Sequence, residues 1–534
     1  MKVYLINPRF PLTLLGWEHS AQMVGKRYAS PPAGLLTIAG LTPPEFEVEF
    51  CDENTHPIQW GSDAEVVALR AQHLQSGRLI EIARRFRAMG KRIVVGGPSV
   101  TVVPDWYRPM ADVLIRGEAE HLWPRFLRDL AAGVPQAEYH ETGQVNLADS
   151  PMPRYEFIKP RDYLYVGVQT TRGCPFTCEF CDIITLFGRN VRTKPVGRVL
   201  EELERVLALG WRHIFFVDDN FIGNRRYAAE LLEAIAALVR GLRHPPVFSC
   251  QASVNVAKDL RLLRLMREAG MRTVSMGVET PREASLLETR KYQNTRTDLL
   301  QDIERVQSHG LLVTAGSVVG FDHDDLEIFN EHVEFFTRAN VAFVFPSQLV
   351  ALPSTPLYAR LHEEGRLLRD VWWLGFATAN FVPRQMTNEQ LTAGYTSLLT
   401  RLYAPDAYAA RVLGELERVA RAPTSPRARF VAGPLLWAAF GWVLLWFLFD
   451  PHRRDLLRLF WRVVPRAVSR YRRVADIALM RVVNYRHLHR LSHAWACAYR
   501  GGLLRTPGQS TDRTVSETWA PVSGATERPL HVGV

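Results

Sequence analysis

Three cysteines stand within eight residues of this chain, and their spacing constrains the structure around them more than any other feature does. Cys174, Cys178 and Cys181 form the pattern Cys-x3-Cys-x2-Cys, with an aromatic residue, Phe180, just before the last cysteine. Three thiolates from one loop can bind a single iron–sulfur cluster, and a cluster of four irons normally takes four protein ligands. The pattern therefore predicts a 4Fe-4S cluster with one iron left open for a substrate.

A zinc site is the alternative explanation of the same cysteines. Structural zinc takes four Cys or His ligands, usually supplied as two pairs. Cys51, Cys250 and Cys497 lie far apart in the sequence, and none of them belongs to a second pair. The ligand count therefore disfavours zinc, and the cysteines do not form a disulfide framework either.

Composition and charge describe a large folded chain with one strongly basic region. A length of 534 residues suggests roughly three domains, and 47% hydrophobic with 22% charged residues is ordinary for globular proteins. Residues 451–505 hold thirteen Arg and two Asp with no Lys or Glu, a net charge of +11 against +10 for the whole chain. An anionic partner is therefore expected only at this C-terminal region. The N-terminus shows no signal-peptide pattern, which together with the need for a reducing compartment predicts a cytoplasmic catalytic part.

The chain reads as two successive series of alternating strands and helices. Residues 1–135 predict a Rossmann-like, doubly wound parallel sheet whose ligands would lie at the carboxyl ends of its strands. A polar, Pro-containing segment at 136–162 is predicted to be a linker. Residues 163–350 contain six strand-like runs separated by amphipathic helices, and three helices end in the glycines expected at left-handed caps, Gly210, Gly270 and Gly310.

The cysteine run resembles the signature of the radical S-adenosylmethionine (SAM) enzymes, including the aromatic at Phe180. The resemblance implies a partial (β/α)6 barrel in which SAM chelates the open iron and yields a 5′-deoxyadenosyl radical. It also implies cofactor-binding roles for residues at later strand ends: Asp218 and Asp219 at the methionyl amine, Glu279 at the ribose or methionyl carboxylate, and Gly320 near the adenine. A helix N-cap is an alternative role for Asp218 and Asp219.

The first domain is similar to the cobalamin-binding domain that precedes many radical SAM modules. Asn7, Gly96 and Gly97 are the residues that this resemblance assigns to cobalamin, since glycine lets the backbone approach a flat macrocycle. The chain lacks the Asp-x-His-x-x-Gly motif that supplies a cobalt ligand elsewhere, and it has Ser99 where relatives usually have His. A Rossmann-like domain without a cofactor is the alternative, and His73 is a possible cobalt ligand that no motif supports.

Residues 351–425 resemble the extension of a cobalamin-dependent branch of this family that includes the hopanoid A-ring methylases. The resemblance covers roughly residues 1–410 and implies a methyltransferase acting on an unactivated carbon of a hydrophobic, lipid-like substrate, with a flavodoxin or ferredoxin as electron donor. A cyclase or rearrangement enzyme without methyl transfer is the main alternative. A tRNA-modifying enzyme and a non-catalytic redox or cobalamin sensor are further alternatives, and binding of nucleic acid is disfavoured.

Residues 426–505 form a basic and apolar region, and residues 506–534 are rich in Ser, Thr, Gly and Pro, which predicts a disordered tail. The run 430–449 carries no charge. A membrane span there would place the +11 region outside the cell, against the positive-inside rule. A monotopic or re-entrant segment is therefore expected at 430–449. The four-residue spacing of Arg458, Arg462, Arg466 and Arg470 predicts a helix lying on the cytoplasmic face of an anionic membrane. A buried helical hairpin with a solvated basic face is the alternative.

Overall fold

The computed structural model describes residues 1–141, 143–295, 297–368, 378–422 and 434–501. The tail at 506–534 and the beginning of the 430–449 run lie outside the described residues. The described chain contains two parallel six-stranded sheets followed by a helical region.

The first sheet holds six strands in the order β2-β1-β3-β4-β5-β6. They are β1 (Lys2–Asn7), β2 (Glu47–Asp52), β3 (Val66–Arg70), β4 (Arg92–Gly96), β5 (Val113–Arg116) and β6 (Glu138–His140). The strand order reverses between β1 and β3, which creates a crevice at the carboxyl edge of the sheet. Strand β6 lies inside the segment predicted as linker, because a three-residue edge strand with two polar side chains has no distinctive pattern.

Helices cover both faces of this sheet, as the doubly wound prediction requires. They are α2 (Ala33–Leu41), α3 (Ser76–Ala88), α4 (Pro98–Val102), α5 (Pro104–Tyr107) and α6 (Ala119–Ala131). The short helix α1 (Glu18–Met23) instead packs against the C-terminal helical region. Helices α2 and α6 pack with Val3 and Leu5 of β1 on one face, and α3 packs with Tyr4 and Ile6 on the other. Burial on both faces explains why the strands are almost continuously apolar.

The second sheet is the partial barrel, with parallel strands in the order β14-β13-β12-β11-β10-β7. Its strands, together with the short antiparallel pair β8–β9, are β7 (Val166–Val168), β8 (Thr171–Arg172), β9 (Arg192–Thr193), β10 (His213–Phe216), β11 (Val247–Gln251), β12 (Met271–Glu279), β13 (Leu312–Val319) and β14 (Phe343–Gln348). The helices of this region are α7 (Ile183–Phe187), α8 (Val196–Ala208), α9 (Arg225–Val239), α10 (Leu260–Ala269), α11 (Glu283–Glu288), α12 (Leu299–Ser308) and α13 (Ile328–Arg338). Gly210, Gly270 and Gly310 all have positive φ at helix ends, which confirms the predicted caps. The α/β fold class is confirmed, whereas the domain boundaries remain predictions.

The C-terminal region is helical and lies against the open side of the barrel. Its helices are α14 (Pro356–Glu363), α15 (Asn388–Leu402), α16 (Pro405–Ala420), α17 (Pro434–Leu448), α18 (Arg453–Arg470) and α19 (Ala475–Arg500). Arg481 of α19 forms a buried ion pair with Glu415 of α16, 2.7 Å apart, and stacks on Phe343 of β14. Among the described helices, none combines the length and the apolar character that crossing a bilayer needs.

Candidate active site

A cavity of about 1340 Å³ runs from the cysteine loop through the barrel interior to α19. Six of the predicted site residues line it: Cys174, Cys178, Cys181, Phe180, Asp219 and Glu279. Among the described lining residues, Asp218, Gly320, Asn7, Gly96 and Gly97 do not appear. The structure thus brings the cysteines together with one predicted carboxylate from each of two strands.

The cysteine loop leaves the β8–β9 pair through a glycine that no other residue can replace without strain. Gly173 has a φ of +94°, and a Cβ atom there would lie 2.7 Å from the carbonyl oxygen of Asn190. A tight turn closes the loop further on, where the amide of Cys181 donates to the carbonyl of Cys178 at 3.2 Å. Burial raises the pKa of the Cys174 thiol and raises that of Cys181 to about 12. A bound metal would draw off these protons, since coordinated thiols are deprotonated.

The three thiols suit a cluster in which each protein ligand binds a separate iron. Each ligand of a four-iron cluster binds a different iron, and the three thiols share one cavity wall. In the part of the chain that the structure describes, no three Cys, His, Asp or Glu side chains are grouped to hold a single metal ion. The cluster assignment therefore depends on the motif, the loop and the open cavity in front of it.

Arg172, just before the loop, is held by acids of the first domain. Its guanidinium donates to Glu118 at 2.7 Å and to Glu120 at 2.6 Å, and Glu118 also accepts from Arg192 of β9. The side chains of Arg172, Glu118 and Glu120 are all at most one-tenth exposed. This buried ion-pair cluster fixes the cysteine loop to the first domain. Glu118 and Glu120 fall within the predicted first domain, residues 1–135, but the sequence did not predict this role for them.

The adjacent carboxylates Asp218 and Asp219 have different roles at the end of β10. Asp218 is fully buried and accepts hydrogen bonds from the backbone amides of Thr170 and Thr171 and from the Thr170 hydroxyl. Asp219 accepts from the Gly173 amide at 2.9 Å and lines the cavity. Burial raises the pKa of each to about 6. Helix α9 is capped by Asn224, so the N-cap alternative does not account for either aspartate. Of the two, only Asp219 lines the cavity, and its contact with an ammonium group remains a prediction.

Glu279 ends β12 in a strained conformation beside a buried lysine. Its φ is +64°, and its carboxylate accepts from Lys291 at 2.7 Å. Burial alone would lower the pKa of Lys291, but the charges of Glu279 and Cys178 raise it above its ordinary value. A Cβ at Gly277 would lie 2.3 Å from the Glu279 carboxylate. Backbone strain held by packing in this way is common at functional sites.

Two residues that sequence reasoning missed follow Glu279 on a short helical turn. Lys291 lies 5.8 Å from the Phe180 ring centroid, and the Gln293 amide nitrogen is 3.4 Å from Cys178 Sγ. Both line the cavity. The only available sequence signal was their position shortly after a strand-end carboxylate, which is too general to identify them.

Gly320 begins a loop organised by a buried carboxylate rather than by the cavity. Asp324 accepts hydrogen bonds from the amides of Gly320 and Phe321 and from the Ser285 hydroxyl. Gly320 has a φ of +108°, and a Cβ there would lie 3.1 Å from Leu391. Its role near an adenine remains a prediction.

Asp324 should make the stability of the protein depend on pH. Burial raises its pKa to about 6, whereas the unfolded carboxyl titrates near 4. The folded state therefore holds the extra proton between these values, and this contribution to stability is lost as pH rises through 6. We expect the unfolding free energy of the wild type, relative to that of Asp324→Asn, to fall by about 2 kcal/mol between pH 4 and pH 7. Denaturant titrations at several pH values would measure it, and parallel pH profiles of the two proteins would contradict it.

The predicted cobalamin residues lie at the carboxyl edge of the first sheet. Asn7 donates to Asp52 at 2.9 Å and accepts from Gln75 at 3.1 Å. A Cβ at Gly97, whose φ is +111°, would lie 2.8 Å from the Ala71 carbonyl oxygen. The chain itself therefore requires glycine at 97, and contact with a macrocycle remains a prediction. Ser99 is buried and bonded to the Tyr107 hydroxyl at 2.7 Å.

Gly97→Ala should destabilise the first domain by at least about 2 kcal/mol, because it adds a close backbone contact to an unfavourable φ. Gly77→Ala is the matched control, since Gly77 lies in α3 and a Cβ there meets nothing within 4 Å. We expect the control to stay within about 1 kcal/mol of the wild type. Equal stabilities of the two variants in denaturant unfolding would contradict the strain argument.

The same edge faces the cysteine loop. His73, which follows β3, pairs with Asp182 at 3.2 Å, and Asp182 directly follows Cys181. Leu74 next to it lines the cavity. His73 therefore bonds to the cysteine loop, an arrangement that does not require it as a cobalt ligand.

Comparisons with known proteins agree with this site. Residues 168–336 match the model of the radical SAM superfamily, and residues 355–498 match a domain of unknown function, DUF4070. An uncharacterized methyltransferase of Synechocystis sp. is 36% identical over 76% of this chain and 77% of its own length. The hopanoid C-2 methylase of Rhodopseudomonas palustris is 32% identical over the same shares.

The fold resembles solved structures of related architecture. A structure of the cobalamin-dependent radical SAM enzyme OxsB, with aqua-cobalamin and SAM bound, matches 95% of this chain and 81% of its own with a TM-score of 0.57 and 14% identity. The methyltransferase TsrM from Kitasatospora setae, with cobalamin and a 4Fe-4S cluster bound, matches 79% of this chain and 97% of its own with a TM-score of 0.55 and 15% identity. At such identities the likeness concerns the fold alone. The sequence matches, however, show that this chain is an enzyme of the radical SAM superfamily, in the methyltransferase family that includes the hopanoid C-2 methylase.

Proposed function

We propose that this enzyme uses cobalamin and SAM to methylate an unactivated carbon of a hydrophobic, polycyclic lipid-like substrate. The observation that supports the substrate class is the cavity, which begins at the three cysteines and continues between the barrel interior and an apolar wall. Its volume of about 1340 Å³ exceeds the usual range for small-ligand pockets. It therefore has room for a large substrate beside SAM.

The walls of the cavity differ in chemistry. The barrel contributes small and hydroxyl side chains at inward-facing positions, including Ser249, Ser275, Gly277, Thr314 and Gly316. Barrel interiors are normally filled by branched side chains, so these small residues keep this one open. The opposite wall is apolar and includes Leu14, Trp17, Leu479, Met480 and Trp495. Such a pair of walls suits a rigid hydrocarbon that carries few polar groups.

The position of the first domain supports the cobalamin assignment. The carboxyl edge of its sheet, where ligands of doubly wound folds bind, is joined to the cysteine loop by the His73–Asp182 and Arg172–Glu118 contacts. A cofactor in that crevice would lie beside the cluster end of the cavity. The two fold relatives, OxsB and TsrM, whose structures contain cobalamin, support the same assignment by similarity.

The protein's own part in the reaction is to hold the cluster, to orient SAM and to shield the reactive species from water. Cys174, Cys178 and Cys181 would bind the cluster, which when bound supplies the open iron and the electron that cleave SAM. Asp219 would accept the methionyl ammonium group, and Glu279, positioned by Lys291, would orient the rest of SAM. The apolar wall excludes water, which protects reactive species from side reactions.

A labelling experiment tests methyl transfer directly. Anaerobically reconstituted enzyme with cobalamin, dithionite and a polycyclic triterpenoid substrate should form 5′-deoxyadenosine and transfer label from methyl-labelled SAM to the product. A product without label would favour the alternative of a cyclase or rearrangement enzyme. Complete absence of product with every lipid tested, despite SAM cleavage, would contradict the substrate class.

We also propose a flavodoxin or ferredoxin as the physiological electron donor and the cytoplasmic face of the membrane as the place of action. A low-potential donor is required because the cluster must reduce a sulfonium. The exposed arginines of α18 support a membrane contact. Arg458 and Arg462 both pair with Asp406 of α16, so only part of the predicted arginine stripe is free to meet lipid.

A further inference from the structure

Helix α17 has one buried face and one exposed apolar face. Phe440, Val443 and Phe447 pack inward, with Phe440 and Phe447 edge-to-face against Phe460 of α18. The opposite face exposes large apolar side chains, namely Trp437, Trp442, Leu445, Leu448 and the following Phe449, which is 82% exposed. Contiguous exposed aromatic and aliphatic residues of this kind mark an interaction surface.

The mouth of the cavity lies beside this face. Leu12, Leu15 and Val24 are each about half exposed, and all three also line the cavity. We call these three residues the lip. The indole nitrogen of Trp442 donates to the carbonyl of Met23 at 2.8 Å, directly before Val24. The exposed face of α17 is therefore continuous with the lip.

Buried polar contacts hold the lip and α17 as one unit. Arg486 of α19 forms a 2.7 Å ion pair with Asp450, two residues after α17, and donates to the carbonyl of His19 in α1 at 2.8 Å. The same guanidinium stacks on Trp446. One arginine thus links the element that carries the exposed aromatics to the element that carries the lip.

Positive charge borders the apolar surface. Arg453 and Arg454 begin α18, four and five residues after Phe449, and the intervening Asp450 is paired with Arg486. Arg470, Arg472 and Arg473 lie at the other end of α18. All five are exposed, and within the described ranges none has an acidic partner. Unpaired arginines beside interfacial aromatics are the chemistry that anionic lipid headgroups recognise.

We propose that the outer face of α17, the lip and these five arginines form a docking surface for an anionic lipid bilayer, and that the substrate passes directly between the bilayer and the cavity through the lip. This inference rests on the proposed lipid substrate. The charge selects an anionic bilayer over a second copy of this basic chain, because two such surfaces would repel each other. The exposed face of α17 is continuous with the cavity mouth. An apolar substrate would therefore pass from the bilayer to the cavity without crossing water.

Cosedimentation of the full-length, cluster-loaded enzyme with lipid vesicles tests the surface without using activity. We expect binding to vesicles that contain phosphatidylglycerol and much weaker binding to pure phosphatidylcholine. Phe449→Asp should lower the partition constant at least about tenfold, and Arg453→Glu with Arg454→Glu should remove the preference for anionic lipid. Leu260→Asp is the control, because Leu260 is a large apolar residue, about half exposed, at the start of α10 on the surface of the barrel. Its binding should equal that of the wild type.

Activity measurements separate this inference from the proposed function. Phe449→Asp should cleave SAM at the wild-type rate and methylate detergent-dispersed substrate normally, but it should act at least about fivefold more slowly on substrate held in anionic vesicles. Wild-type enzyme that methylates dispersed lipid without binding vesicles would overturn the docking surface and leave the function intact. Vesicle binding without methylation of any lipid would contradict the function instead. A dimer that Phe449→Asp dissociates, with no vesicle binding, would identify a second copy as the occupant and overturn the inference.

Discussion

Cys178→Ala should reduce formation of 5′-deoxyadenosine to background. A two-thiolate loop cannot hold the open-cornered cluster, and without that cluster no group on the chain supplies the electron that cleaves SAM. Cys178 is the most buried of the three cysteines, and its sulfur accepts a hydrogen bond from Gln293. The substitution therefore removes the predicted ligand that is best shielded from solvent. The measurement is the yield of 5′-deoxyadenosine from anaerobically reconstituted enzyme with dithionite.

Cys497→Ala is the control for general effects of removing a cysteine. Cys497 is an exposed free cysteine on α19 and does not line the cavity. Its variant should retain the wild-type iron content and the wild-type yield. Retention of activity in Cys178→Ala, or its loss in Cys497→Ala, would refute the assignment of the cluster ligands.

Glu279→Ala should both destabilise the protein and weaken SAM binding. Lys291 is largely buried beside Glu279, and removal of one partner of a buried ion pair costs about 3–5 kcal/mol because the other charge stays behind. We expect the unfolding free energy to fall by about 3 kcal/mol. Equilibrium unfolding measures this loss, and SAM binding is followed separately by its effect on the spectrum of the reduced cluster.

A double variant separates the structural role of Glu279 from its proposed binding role. Glu279→Gln combined with Lys291→Met removes both charges, so stability should return to within about 1 kcal/mol of the wild type. SAM binding should remain weak, because the oriented carboxylate is gone. If the double variant recovers SAM binding together with stability, Glu279 is only the partner of Lys291.

The architecture was predictable because it follows from local patterns. Each barrel strand overlaps one of the six strand-like runs of the sequence, and Gly210, Gly270 and Gly310 mark helix ends in the sequence before the positive φ is seen. Cysteine spacing likewise identifies its own chemistry, since all three ligands come from one loop. These signals need no knowledge of distant contacts.

The details of the site were not predictable because they depend on contacts between distant residues. Arg172 meets Glu118 across 54 residues, and Gln293 meets Cys178 across 115. The two neighbouring aspartates look alike in the sequence. The Asp218 carboxylate nevertheless accepts hydrogen bonds from backbone amides, whereas Asp219 lines the cavity. The sequence predicted that Gly97 contacts a macrocycle. The nearby carbonyl oxygen of Ala71, however, already requires a glycine at this position.

Metal analysis of anaerobically prepared enzyme, joined to electron paramagnetic resonance, tests the central claim most directly. A loop with three thiolates and an open corner predicts about four irons per chain and a reduced-cluster spectrum that changes when SAM is added, because SAM binds the open iron. Stoichiometric zinc in place of iron, or a cluster spectrum that SAM leaves unchanged, would contradict it.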